Sequence, residues 1–125
     1  MVKVPQIGQI YHFFDDGKMS INRHYKAECL EVITPEEAKG VILEFPSSDS
    51  SDVMKVSLYD IWKDNVEEYD WMYAKETDYL VRCRVPGYDE NDLWFVRTIN
   101  GRWFSIDIQS CWQTGLLDVG NDMIL

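Results

Sequence analysis

The sequence predicts an α+β fold: a strongly bent antiparallel sheet with one principal helix and a C-terminal β-meander. Three observations carry this. Runs of β-formers bounded by turn residues occupy both ends of the chain, one amphipathic helical pattern begins at Leu58, and Asn100-Gly101 sits between two aromatic-rich runs. With 125 residues, 46% of them hydrophobic, the chain is expected to form a single domain over residues 1–125 with its own core. Five Trp, seven Tyr and five Phe argue against disorder, because disordered chains lack the apolar groups that offset ordering entropy.

The elements follow in chain order. Ile7 to Phe14 is rich in β-formers and reads as a strand, and Asp15-Asp16-Gly17-Lys18 supplies a turn. From His24 to Ile33 the chain alternates, with Tyr25, Ala27, Cys29 and, less regularly, Glu31 on one side and His24, Lys26, Glu28, Leu30 and Val32 on the other. The alternation is imperfect and leaves the buried face open. Thr34-Pro35-Glu36-Glu37 reads as a helix start, with Thr as N-cap and Glu closing a capping box, and Gly40 ends it after about one turn. Val41 to Phe45 reads as a strand, and Ser47 to Asp52 as an exposed polar loop.

Ser57 then has the spacing of an N-cap. Leu58, Ile61, Trp62, Val66, Tyr69 and Tyr73 follow at helical intervals, and Asp60, Asp64, Glu67, Glu68 and Asp70 fall mostly off that stripe, so an acidic solvated face is expected. Asp78 to Val85 reads as a strand ended by Pro86-Gly87. Leu93 to Ile108 reads as a hairpin about a two-residue type I′ turn at Asn100-Gly101. That register puts Leu93, Phe95, Ile99, Phe104, Ile106 and Ile108 on a core face, and Trp94, Val96 and Trp103 on a more polar one. A segment around Trp112 to Val119 is expected to add an edge strand. Strand, Asp-Asp-Gly turn, second strand, helical excursion and later meander together resemble small SH3-like barrels, a likeness that implies a partial barrel and no particular activity.

Charge and motifs bound the function. Twenty-two acidic residues against twelve basic ones give a formal charge of -10, which opposes unaided binding to nucleic acid or anionic lipid. The expected partner is another protein, basic or neutral. Met1 to Gln6 lacks the pattern of a secretory leader and no stretch has membrane-spanning length, so the expected location is cytoplasmic. Cys29, Cys83 and Cys111 are odd in number and widely spaced, which predicts buried or half-buried thiols. With no HExxH, GxSxG, P-loop or GxGxxG, neither a metal, a cofactor nor a catalytic residue is expected.

The leading functional expectation is therefore a small acidic, non-catalytic protein-binding domain. Its sharper form is an inhibitor of a basic nucleic-acid-handling protein, in the manner of immunity or phage anti-defence proteins. The expected interface draws on Trp94 and Trp103 of the hairpin and on Asp64, Glu67 and Glu68 of the helix. The alternative is a small-ligand-binding protein or enzyme with a pocket between helix and sheet, lined by Tyr11, His12 and His24.

Overall fold

Strand β1 (Ile10–Asp15) sets the pattern of the whole molecule. Tyr11 and Phe13 point one way and are buried, while Ile10, His12 and Phe14 point the other way toward solvent. The computed structural model describes residues 4–15, 23–46, 53–67, 78–87, 92–110 and 113–124. Within them β1 pairs with β2 (Arg23–Ile33), β2 with β5 (Tyr79–Arg84), and the chain continues through β6 (Leu93–Arg97), β7 (Arg102–Ser110) and β8 (Gln113–Met123), each antiparallel to the last. Strand β8 returns to β1 and closes a six-stranded barrel. The expected bent sheet thus closes completely, and closure leaves it no free edge. Between β2 and β5 lie a 3-10 turn (Glu37–Gly40), a two-stranded hairpin of β3 (Ile42–Pro46) and β4 (Val53–Ser57), and helix α1 (Leu58–Val66).

Two cores result, one on each side of the barrel wall. Inside, Tyr11, Phe13, Tyr25, Phe95 and Trp103 pack with Ala27, Cys29, Val81, Cys83 and Val119. Outside, Leu58, Trp62 and Val66 of α1 cover Leu80, Val96, Phe104 and Leu116, with Ile33 and Ala38 beneath. Burial of Leu58, Ile61, Trp62 and Val66 agrees with the helical stripe. Ser57 holds the N-cap position, although its side chain makes no capping bond. Tyr69, Tyr73, Glu68 and the Ser47–Asp52 stretch lie outside the described residues. Thr34 and Glu37 do form the capping box: the Thr34 N–H donates to Glu37 Oε1 at 3.2 Å and the Glu37 N–H to Thr34 Oγ1 at 3.3 Å.

The uneven alternation in β2 has a physical cause. Pairing with β5 shifts between Cys29 and Glu31, so Leu30 is the extra residue of a bulge. Before the bulge Tyr25, Ala27 and Cys29 face the interior. After it Val32 does, and Ile33 turns to the helix side.

The β6–β7 hairpin forms where Asn100-Gly101 predicts, but its register differs by one residue. Phe95 faces Ser105, Val96 faces Phe104 and Arg97 faces Trp103. The Gly101 N–H donates to the Thr98 carbonyl and the Thr98 N–H to the Arg102 carbonyl, both at 2.9 Å, enclosing a three-residue loop. No described non-glycine residue has positive φ, so Asn100 cannot occupy a type I′ turn, whereas Gly101 at φ +83 fits the bulge position after a type I turn. The slip exchanges faces on β7: Trp103 enters the interior beside Phe95, and Phe104 and Ile106 join Val96 and Trp94 under the helix. Trp94 and Trp103 therefore lie on opposite sides of the wall, not on one face.

Two further corrections concern strands. The segment expected at the edge, around Trp112 to Val119, is described from Gln113 onward, where it belongs to β8, which reaches Met123 and closes the barrel. Strand β4 has no counterpart among the sequence-based expectations. Gly120, at φ +102, lets β8 approach β1: a Cβ there would stand 2.9 Å from the Phe14 carbonyl oxygen.

Gly101→Val should lower stability by about 1–3 kcal/mol, more than an ordinary surface change. Beyond the strained φ, even a Cβ at Gly101 would lie 3.2 Å from Asp122 Oδ1. An unchanged midpoint in chemical denaturation would refute the turn geometry.

Candidate functional site

The barrel interior is packed with aromatic rings. Phe13 stacks on Trp103 at 5.4 Å between ring centroids, and Phe95 meets Phe13 and Trp103 edge-on. Its buried ion pair belongs to one network. Arg97, almost wholly buried, donates from Nε to Asp122 Oδ2 at 2.5 Å, the Trp103 Nε1–H donates to the same oxygen at 2.6 Å, and the guanidinium lies over the Tyr11 ring. This arrangement pairs the buried charge.

The outer wall is covered unevenly. Helix α1 and its neighbours cover Leu80, Val96, Phe104 and Leu116, whereas the wall formed by β1, the start of β2 and the end of β8 has no such cover among the described residues. Ile10, His12 and Phe14 alternate outward on β1, His24 and Lys26 on β2 stand across from Phe14 and His12, and Met123 on β8 stands across from His12. The His24 ring stacks on Phe14 at 4.7 Å. His12 Nδ1 and His24 Nε2 lie 2.6 Å apart with ring planes within 22° of parallel, a separation that admits a shared proton and nothing larger. Partial desolvation, with His24 and Lys26 nearby, holds the His12 imidazole below its ordinary pKa. Among the described residues no three His, Cys, Asp or Glu side chains cluster to hold a metal ion.

Residues singled out by sequence are thus dispersed. His12 and His24 do come together, but on the outer surface, whereas Tyr11 is interior with its hydroxyl accepting the Gln6 N–H at 3.0 Å. Trp103 is fully buried, and Trp94 is half-buried at the rim of the helix-side core. Asp64 on α1 and Glu67 at its C-cap are exposed, as the acidic face requires. A groove of about 490 Å³ lies elsewhere, between the N-terminal Val4 to Ile7 segment and Val32, Ile33 and Tyr79. Thr34 and Glu37 at its margin already bond each other in the capping box.

Two features escaped the sequence reading. Every residue from Ile10 to Phe14 is apolar or aromatic, which signals a strand with both faces apolar, yet nothing local says that its outer face stays uncovered. Asp78, expected as the first residue of a strand, stands just before β5 and is buried. Its Oδ2 accepts the Trp62 Nε1–H at 3.3 Å, its Oδ1 has no hydrogen-bond partner among the described residues, and burial raises its pKa to about 7.

Comparison with protein-family models, curated proteins and solved structures finds no match to this chain. No helix among the described residues is long and apolar enough to cross a membrane.

Proposed function

We propose that this chain is a small acidic, non-catalytic protein-binding domain whose interface is the uncovered wall of β1, β2 and β8. One observation carries the reading: Ile10, Phe14, Met123 and Ile124 are 45%, 50%, 45% and 62% exposed, and the first three are brought by register around the His12–His24 pair. Singly exposed apolar residues are ordinary, whereas a contiguous group with a polar rim marks a protein contact. Phe14, with His24 against it, supplies an aromatic anchor of the kind that dominates binding energy.

The partner is basic or neutral. A formal charge of -10 steers a basic surface toward the domain, and the exposed carboxylates of α1 and its C-cap, Asp64 and Glu67, add to that field. The sharper form of the proposal is an inhibitor that occupies the surface a basic nucleic-acid-handling protein offers to phosphates, as immunity and anti-defence proteins do.

Affinity capture from the native host with the unaltered chain, followed by measured affinity for the retained protein, tests this. Ile10→Ser with Phe14→Ser should weaken binding at least tenfold while leaving the fold intact. Asp64→Lys with Glu67→Lys and Glu68→Lys should slow association and flatten its salt dependence. If the double serine variant binds as tightly as the natural chain, the wall is not the interface. If the protein turns over a substrate and loses that activity on His12→Ala or His24→Ala, the domain is an enzyme and the binding reading fails.

A further inference from the structure

Cys29 of β2 and Cys83 of β5 face each other directly across the strand pair, and both side chains are fully buried in the barrel interior. Hydrogen bonds on the far edge of β2 fix the kind of pair they form. The Cys29 N–H donates to the Gln9 carbonyl at 3.0 Å, and the Cys29 carbonyl accepts the Gly8 N–H at 2.8 Å. In a strand both groups of one residue leave along the same edge, so Cys29 directs both toward the β1 side and neither toward β5. Cys29 and Cys83 are therefore a non-hydrogen-bonded pair, the type with Cα atoms about 4.5 Å apart and the closest side chains. Disulfides span Cα separations of about 4.4–6.8 Å, so a bond between the two needs no backbone rearrangement.

The two thiols are chemically unequal. Burial raises the pKa of both, that of Cys83 far more, and each lies close enough for Cys29 to add to the rise at Cys83. At Cys29 the rise is opposed by the positive charge of Arg97 and by a hydrogen bond from the Glu31 backbone, which the β-bulge brings to the sulfur. Cys29 is thus the thiol that ionises first.

We propose that Cys29 and Cys83 are a redox pair that closes to an intramolecular disulfide on reaction with a low-molecular-weight disulfide such as oxidised glutathione. The Cys29 thiolate attacks one sulfur of the oxidant, whose S–S bond breaks and releases one glutathione thiolate, which takes up a proton. Cys83 then loses its proton to water and attacks the Cys29 sulfur, releasing the second glutathione. Two protein thiols are oxidised by two electrons, and one glutathione disulfide is reduced to two thiols. Because both sulfurs are buried, the reaction waits on opening of the β2–β5 seam or takes place before the barrel closes during folding. The bond ties the two ends of the inserted segment, which carries β3, β4 and α1, and restricts the unfolded chain.

The test uses the full chain, both natural and as Cys111→Ser, refolded in a glutathione redox buffer and compared with fully reduced protein. Expected are the disappearance of two thiols titrated in denaturant, a mass lower by about 2 Da without a glutathione adduct, a peptide linking Cys29 to Cys83, and a raised thermal midpoint. Cys83→Ala should stop at a glutathione adduct on Cys29 with no such rise. Both thiols remaining titratable after refolding in the oxidising buffer, a persistent adduct in the Cys111→Ser chain, or a link confined to Cys111 would each overturn the proposal.

Discussion

Asp122→Ala should destabilise the protein by about 3–5 kcal/mol, because it breaks a buried ion pair from one side only. The Arg97 side chain is 3% exposed and that of Asp122 12%, with Nε and Oδ2 at 2.5 Å, so removing the carboxylate takes the opposing charge from a guanidinium where water scarcely reaches. The same oxygen accepts the Trp103 Nε1–H at 2.6 Å, and Trp103 has no exposed surface through which to find a substitute. Losing an acceptor that serves two buried donors exceeds the cost of an ordinary lost hydrogen bond. Asp122→Asn keeps an acceptor without the charge and should fall between the variant and the natural chain. Arg97→Met combined with Asp122→Leu removes both charges and should cost less than Asp122→Ala alone, which is the signature of an uncompensated charge. Urea denaturation followed by Trp fluorescence measures all three. A loss below about 1 kcal/mol for Asp122→Ala would show that the pair contributes little to the fold.

How much of this was legible in the sequence depends on the range of the interaction involved. Helix α1 was readable because its stripe of Leu58, Ile61, Trp62 and Val66 is a local period, and the Thr34 to Glu37 cap because both partners lie within one turn. Asn100-Gly101 announced a hairpin but not its register, since Asn-Gly suits both a type I′ turn and a type I turn followed by a glycine bulge. The decision is consistent with contacts from β8, where the Asp122 N–H bonds the Gly101 carbonyl at 2.9 Å and Asp122 joins Arg97 and Trp103 inside the barrel. A one-residue slip then moved Trp103 from the expected binding face to the interior.

Longer-range facts were not legible. The bulge at Leu30 showed only as faulty alternation, and β4 followed a polar run that masked it. Which part of a barrel wall a helix covers is decided by where the insertion folds back, so neither the exposure of Ile10 and Phe14 nor the burial of Trp103 could be read from neighbouring residues. The carboxylates of the α1 face were readable as exposed because nothing apolar lies on their side of the period.

Asp78→Asn should make the protein more stable than the natural chain at pH 8.5, by up to about 4 kcal/mol, and remove most of that difference by pH 5. The unfolded chain releases the Asp78 proton near the ordinary carboxyl value of about 4, whereas the folded chain holds it up to about 7, because only 2% of the residue is exposed and the Trp62 Nε1–H is too weak a partner to offset burial. Below about pH 4 both states are protonated and burial of this group carries no charge penalty. Between about 4 and 7 the folded state binds more protons than the unfolded one, so stability falls as pH rises; above about 7 both are ionised and the penalty is complete. Asparagine copies the shape of the protonated acid and keeps an acceptor for Trp62 but cannot ionise, so the variant lacks this slope. The stability difference between the two proteins, measured by denaturant unfolding at fixed ionic strength, should therefore grow by about 2–3 kcal/mol from pH 5 to pH 8.5. Taking the difference cancels the titration of the other carboxylates, which both chains share. Parallel stability curves across that range would mean that Asp78 ionises in the folded state as it does in the unfolded one, and that its Oδ1, without a partner among the described residues, reaches water.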